Sequence, residues 1–157
     1  MAKLRDVLVY LVSRYPHKHE LSKARVTKMV YLADWRSAIE YGRQMTPLRW
    51  TFNHYGPYLD DVVDTARTDS AFEVKESANP YGHPKEVIRL VGDARADLTE
   101  QEKEVLDHVI NETAPLYWND FIRLVYSTYP VVTQPKYSEL DLVGLAREYN
   151  ATKAPLG

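Results

Sequence analysis

The chain has 157 residues, 45% hydrophobic and 27% charged, the proportions of one globular domain whose core needs no covalent staples. Its 20 basic and 22 acidic residues leave a formal charge of −2, which argues against a general nucleic-acid binder. The absence of cysteine excludes disulfides, thiolate catalysis and cysteine-based zinc sites, and no apolar run behind Lys3 and Arg5 is long enough to span a bilayer, so a cytoplasmic protein with no membrane partner is expected.

Leu4, Val7, Leu8, Leu11 and Val12 keep helical spacing and predict an amphipathic helix over residues 3–15. Pro16, His17, Lys18 and His19 form a polar connector. Ser22 suits the cap of a second helix and Gly42 its end. At about 100° per residue, Val26, Val30, Tyr31, Ala33, Trp35, Ser37, Ala38 and Tyr41 of that helix fill one broad arc, with Asp34 in its middle. The opposite arc mixes Arg25, Lys28, Arg36, Glu40 and Arg43 with Met29, Leu32 and Ile39. A helix apolar almost all the way round belongs at the centre of a fold. There Asp34 needs partners, because an unpaired buried charge costs several kcal/mol (roughly). Arg49, His54, the tyrosine hydroxyls and free N–H groups after Gly56 are candidates, so a tie from Asp34 to residues 53–58 is expected.

Thr46 and Pro47 break the chain, and residues 49–55 alternate as a strand does. Gly56 makes a corner. Pro57 suits the first position of a helix running to about Arg67, with Asp60 and Asp61 at its positive end. Residues 72–76 and 86–91 read as strands of a hairpin with Tyr81 at its tip, joined by the turn-rich segment 79–84. Residues 50–54 extend this hairpin into one small sheet. Thr99 and Glu102 form a capping box before a helix carrying Val105, Leu106, Val109 and Ile110. Trp118, Phe121, Ile122 and Val125 mark another, ending near Tyr129 and Pro130, and a short last helix follows over residues 140–149. The sum is a mostly helical α+β fold: five to six helices around a central buried one, with a small antiparallel sheet or hairpin. Residues 1–152 form one domain and 153–157 a loose tail.

No nucleophile elbow, phosphate-binding loop or zinc-protease motif is present. His17, His19 and Glu20 read as a solvated loop, and Asp60, Asp61 and Asp64 as helix-end electrostatics, so no metal or cofactor is assigned. His54 with Asp34 is the best acid–base pair in outline, yet it lacks a nucleophile and reads as a structural link. Binding suits the chain better than catalysis. The candidate contacts are Arg25, Lys28, Leu32, Arg36 and Ile39 on the mixed arc, Tyr55 and Tyr58 at the corner, and Tyr81.

Lys28, Tyr31, Ala33 and Trp35, followed by Trp50, Tyr55, Gly56 and Pro57, give the chain a resemblance to the SocA-type antitoxin family, also called the Panacea domain. That family has a helix reading K-L-L-Y-x-A-x-W and then a segment reading W-x-x-x-x-Y-G-P-x. The C-terminal stretch YWNDFIRLVYSTYPVVTQPKYSELDL is similar to the family's late helix and proline-containing tail. Under this resemblance Tyr31, Trp35, Trp50, Gly56 and Pro57, with Asp34 and His54 beside them, are architecture. It implies an antitoxin that contacts a cognate toxin protein directly, encoded beside the toxin gene in bacteria or phages. Some members deliver their partner to a protease, which makes a proteolytic adaptor one alternative. A small-molecule enzyme or regulator using Asp34 and His54 is a second, and a DNA-binding regulator on the Arg25, Arg36 and Arg43 face a third.

Overall fold

Helix α1 (Leu4–Arg14) carries Asp6 in its first turn and Arg14 in its last, each sign suited to that helix end. Every residue from Asp6 to Val12 is buried, so the helix is enclosed on all sides rather than amphipathic. The cause is its position among α2 (Lys23–Tyr41), α3 (Asp61–Thr68), β4 (Pro84–Leu90) and α4 (Glu100–Thr113). After a short 3₁₀ turn, Lys18–Glu20, the Lys18 ammonium donates to the carbonyls of Val12, Ser13 and Tyr15 and satisfies the end of α1. These elements come from a computed structural model, which describes residues 1–79 and 81–153.

Helix α2 is the centre that its pattern predicts. Ser22 Oγ accepts from the Arg25 N–H at 3.2 Å, and Gly42 closes the helix at φ +70°, its N–H donating to the Ala38 carbonyl. Residues 25–38 are all buried except Arg36. Elements α3, α4, β2 (Gly56–Tyr58), β4 and α7 (Leu142–Lys153) pack around it.

The expected strand over residues 49–55 shortens to β1 (Thr51–Asn53), which turns directly into β2. Pro57 therefore does not begin a helix; it sits opposite Phe52 in a two-stranded hairpin, and α3 starts four residues later. A φ near −65° fits a strand edge as well as a helix start, and pairing with β1 decides the matter. The other edge of β1 takes the chain at residues 137–140. Phe52 N–H donates to the Ser138 carbonyl at 2.9 Å and Leu140 N–H to the Trp50 carbonyl at 2.8 Å. Because both edges are filled, β1 does not join β3 (Phe72–Ala78) and β4, which pair with each other in a separate sheet. Ile88 N–H donates to the Leu21 carbonyl, fastening that sheet to the start of α2.

The capping box opens α4 as read: Thr99 Oγ1 accepts from Glu102 N–H, and Glu102 Oε1 from Thr99 N–H. Helix α5 (Trp118–Tyr126) ends earlier than expected, and Pro130 lies in the first turn of a further short helix, α6 (Tyr129–Thr133). The described residues thus hold seven helices rather than five to six, within the expected mostly helical α+β class. Lys153 is the last residue of α7; the rest of the expected tail, 154–157, and Pro80 of the hairpin loop lie outside the described residues.

Candidate partner-binding surface

Asp34 is fully enclosed, and its carboxylate is completely engaged. Oδ1 accepts from the N–H groups of Met45 and Thr46, each at 2.9 Å. Oδ2 accepts from Thr46 Oγ1 at 2.5 Å, Trp50 Nε1 at 2.9 Å and Gln44 Nε2 at 3.4 Å. Burial still dominates and pushes its pKa up to about 6. The acid is satisfied by the segment that follows α2, in kind as expected, but the segment is 44–50 and not 53–58. The chain reverses just after Gly42 and brings two inward N–H groups under the helix before the strand begins. Gln44 and Thr46 are not singled out by the sequence pattern. The indole N–H of Trp50 was a legible clue, since a buried tryptophan needs an acceptor.

Tyr31 and Trp35 finish the architecture of this helix. Tyr31 is fully buried, its hydroxyl 2.8 Å from Thr128 Oγ1 and its ring edge-on to Trp50 at 5.6 Å. Trp35 stacks on Tyr129, with Tyr149 edge-on to it.

His54 is not beside Asp34. It is exposed at the β1–β2 turn, where its ring meets Tyr55 edge-on at 4.5 Å and its Nδ1 lies 3.1 Å from Tyr137 Oη. The acid–base pair read from the sequence is therefore not assembled. Gly56 lets the turn form: at φ +99°, a Cβ there would lie 3.0 Å from the Tyr126 ring.

What the turn presents is a ledge of three rings. Tyr55 is 76% exposed and Tyr137 67% exposed, with His54 between them. Tyr137 escaped the sequence reading altogether. It is the one non-glycine residue with positive φ among those described, at +68°. A left-handed conformation costs a bulky residue about 1–2 kcal/mol. The pairing of residues 137–140 with β1 holds it there.

The mixed arc of α2 is divided. Arg25 and Lys28 lie inside the fold, each 2% exposed. Leu32, Arg36 and Ile39 instead line a cleft of about 280 Å³ closed by α4, the α5–α6 turn and Tyr149. Its rim carries an ion pair, Arg36 with Glu40 at 2.6 Å, and a close contact of His108 Nε2 with the Glu112 carboxylate at 2.7 Å. Tyr58 is half-buried under the corner, and Tyr81 stands 85% exposed on the hairpin tip. Among the described residues no three His, Cys, Asp or Glu side chains are grouped to hold a metal, and no helix is long and apolar enough to cross a membrane.

A family model described as antitoxin SocA-like, Panacea domain, matches residues 26–130, two-thirds of the chain, from within the first turn of α2 to the start of α6. No curated protein and no solved structure matches.

Proposed function

Because the chain belongs to the family of SocA-like antitoxins built on the Panacea domain, we propose that it neutralises a cognate protein toxin by binding it directly. The observation that carries this reading is the ledge of His54, Tyr55 and Tyr137. Exposed tyrosines fixed by backbone pairing offer large contact area with little side-chain ordering on binding, which is the character of interface hot spots. A strained residue kept at the surface, where it contributes no core packing, also points to use rather than stability. The small-molecule enzyme reading loses support from the same geometry. Asp34 has five donors and no opening to a substrate, and His54 stands outside the fold without it.

The test is co-expression with the product of the adjacent gene. That product alone should arrest growth, and this chain should restore it. Replacing Tyr55 and Tyr137 together by alanine should abolish rescue while the protein stays folded, since hot-spot losses of about 2 kcal/mol or more each correspond to at least about 30-fold in affinity. A neighbour that is harmless alone, or that stays toxic beside the wild-type chain, rules the reading out.

A further inference from the structure

The cleft beside α2 carries carboxylates on two walls and aromatic rings on a third. On α2, Arg36 and Glu40 stand one turn apart and pair at 2.6 Å; on α4, His108 Nε2 lies 2.7 Å from Glu112 at the same spacing. Each contact uses one oxygen of its acid. The other oxygens, Glu40 Oε2 and Glu112 Oε1, accept no hydrogen bond among the described residues. All four side chains line the cleft and are part-exposed, so they meet solvent there. The third wall is Trp35, Tyr129 and Tyr149, whose ring centres lie 5.6 to 6.5 Å from one another.

Within the lining, two carboxylates oppose one permanent cation, Arg36, whose charge Glu40 already meets. His108 adds charge only when protonated. Farther out, Glu148 accepts from Tyr129 Oη at 3.3 Å, and Lys153 Nζ lies 4.3 Å from the centre of the Tyr149 ring. One acid is thus in surplus, beside an aromatic wall that already attracts an ammonium. At about 280 Å³ the space is small for a ligand site and suits a single side chain. A round space of that volume is about 8 Å across, so a guanidinium at its centre reaches both acidic walls with N–H···O bonds. The cleft also adjoins the ledge. Tyr126, whose ring backs Gly56 at the ledge turn, immediately precedes Ser127 on the cleft wall.

We infer that this cleft receives one arginine side chain of the partner protein, its guanidinium shared between Glu40 and Glu112 and its stem along Leu32, Ile39 and Val109. The existence of a protein partner rests on the antitoxin reading; the preference of the cleft for a guanidinium does not. Arginine suits the walls better than lysine. Its planar fork bonds two carboxylates and lies flat on a ring, whereas an ammonium is a compact, strongly hydrated charge. A neutral apolar side chain would strip water from the two free carboxylate oxygens and give them no donor in return.

Two arms test this. In the first, N-acetyl-arginine amide, N-acetyl-lysine amide and N-acetyl-norleucine amide are titrated into the free chain at equal ionic strength, and the methyl resonances of Leu32, Ile39 and Val109 are followed. The arginine derivative should saturate these shifts with a Kd of roughly 1–10 mM, at least about fivefold tighter than the other two. The double variant Glu40→Gln, Glu112→Gln should keep the fold, since both acids are part-exposed, and lose that preference. No saturable shift up to about 100 mM arginine derivative overturns the inference, as does a preference that survives in the double variant. Equal binding of the lysine or the norleucine derivative overturns the assignment to arginine. In the second arm, the same double variant, with Tyr55 and Tyr137 intact, should bind the adjacent gene product at least about 10-fold more weakly. Wild-type affinity there overturns docking at the cleft. If the wild-type chain itself binds no gene product, the antitoxin reading falls, and the arginine titration alone decides the cleft.

Discussion

Asp34 shows how one side chain can fix the path of the chain around it. All five of its contacts are donors, so an amide in its place turns an N–H₂ group against at least one of them. Asp34→Asn should therefore cost about 3 kcal/mol of stability in denaturant unfolding, despite its equal size. The pH dependence has a definite sign. Burial raises Asp34 from 3.8 to about 6 in the folded chain, so its contribution is fully present below about pH 4 and is lost as pH rises through 6. Lys28 acts at the other end of the scale. Its folded pKa is lowered from 10.5 to about 8, so the folded state binds fewer protons between those values and stability rises across that window. Lys28→Met removes the enclosed charge and should be more stable than wild type below pH 8 by up to about 3 kcal/mol. The difference should close by about pH 10.5. A difference that stays constant through the alkaline range contradicts this account of Lys28.

The elements read most directly from the sequence were those with local chemistry. Ser22, Gly42 and the Thr99–Glu102 box each act within three or four residues, and each does in the fold what its type predicts. Proline misled because its preferred backbone serves two purposes. The pattern around Pro57 predicts a helix start, yet the residue lies in a strand, and that around Pro130 predicts a helix end, yet the residue lies at a beginning. The path of residues 137–140 along β1 was not legible at all, since nothing in their spacing reveals a partner some 85 residues away. That latch is what places Tyr137, the part of the candidate surface that sequence reasoning missed. Gly56→Ala should cost about 2 kcal/mol, because positive φ and the Tyr126 ring both oppose a Cβ. Tyr137→Gly should be nearly neutral in thermal unfolding, within about 0.5 kcal/mol. Relief of the left-handed backbone offsets the added freedom of the unfolded chain.

At the scale of the molecule, two buried helices rather than one organise the chain. The enclosure of α2 was visible in its all-round apolar pattern, whereas that of α1 depends on α3, α4 and β4 arriving on faces its own sequence leaves ambiguous. The same enclosure divides the mixed arc of α2, sending Arg25 and Lys28 inward and leaving Leu32, Arg36 and Ile39 along a cleft. Under the proposed antitoxin reading the contact is made by features outside the core, and among the described residues the ledge joins two exposed tyrosines to a backbone held at positive φ. Its most direct test is calorimetric binding of the purified adjacent gene product to wild type and to Tyr137→Gly, with the unfolding curve of each. The account predicts an equally stable variant that binds at least about 30-fold more weakly. Equal affinity in a variant of equal stability contradicts it.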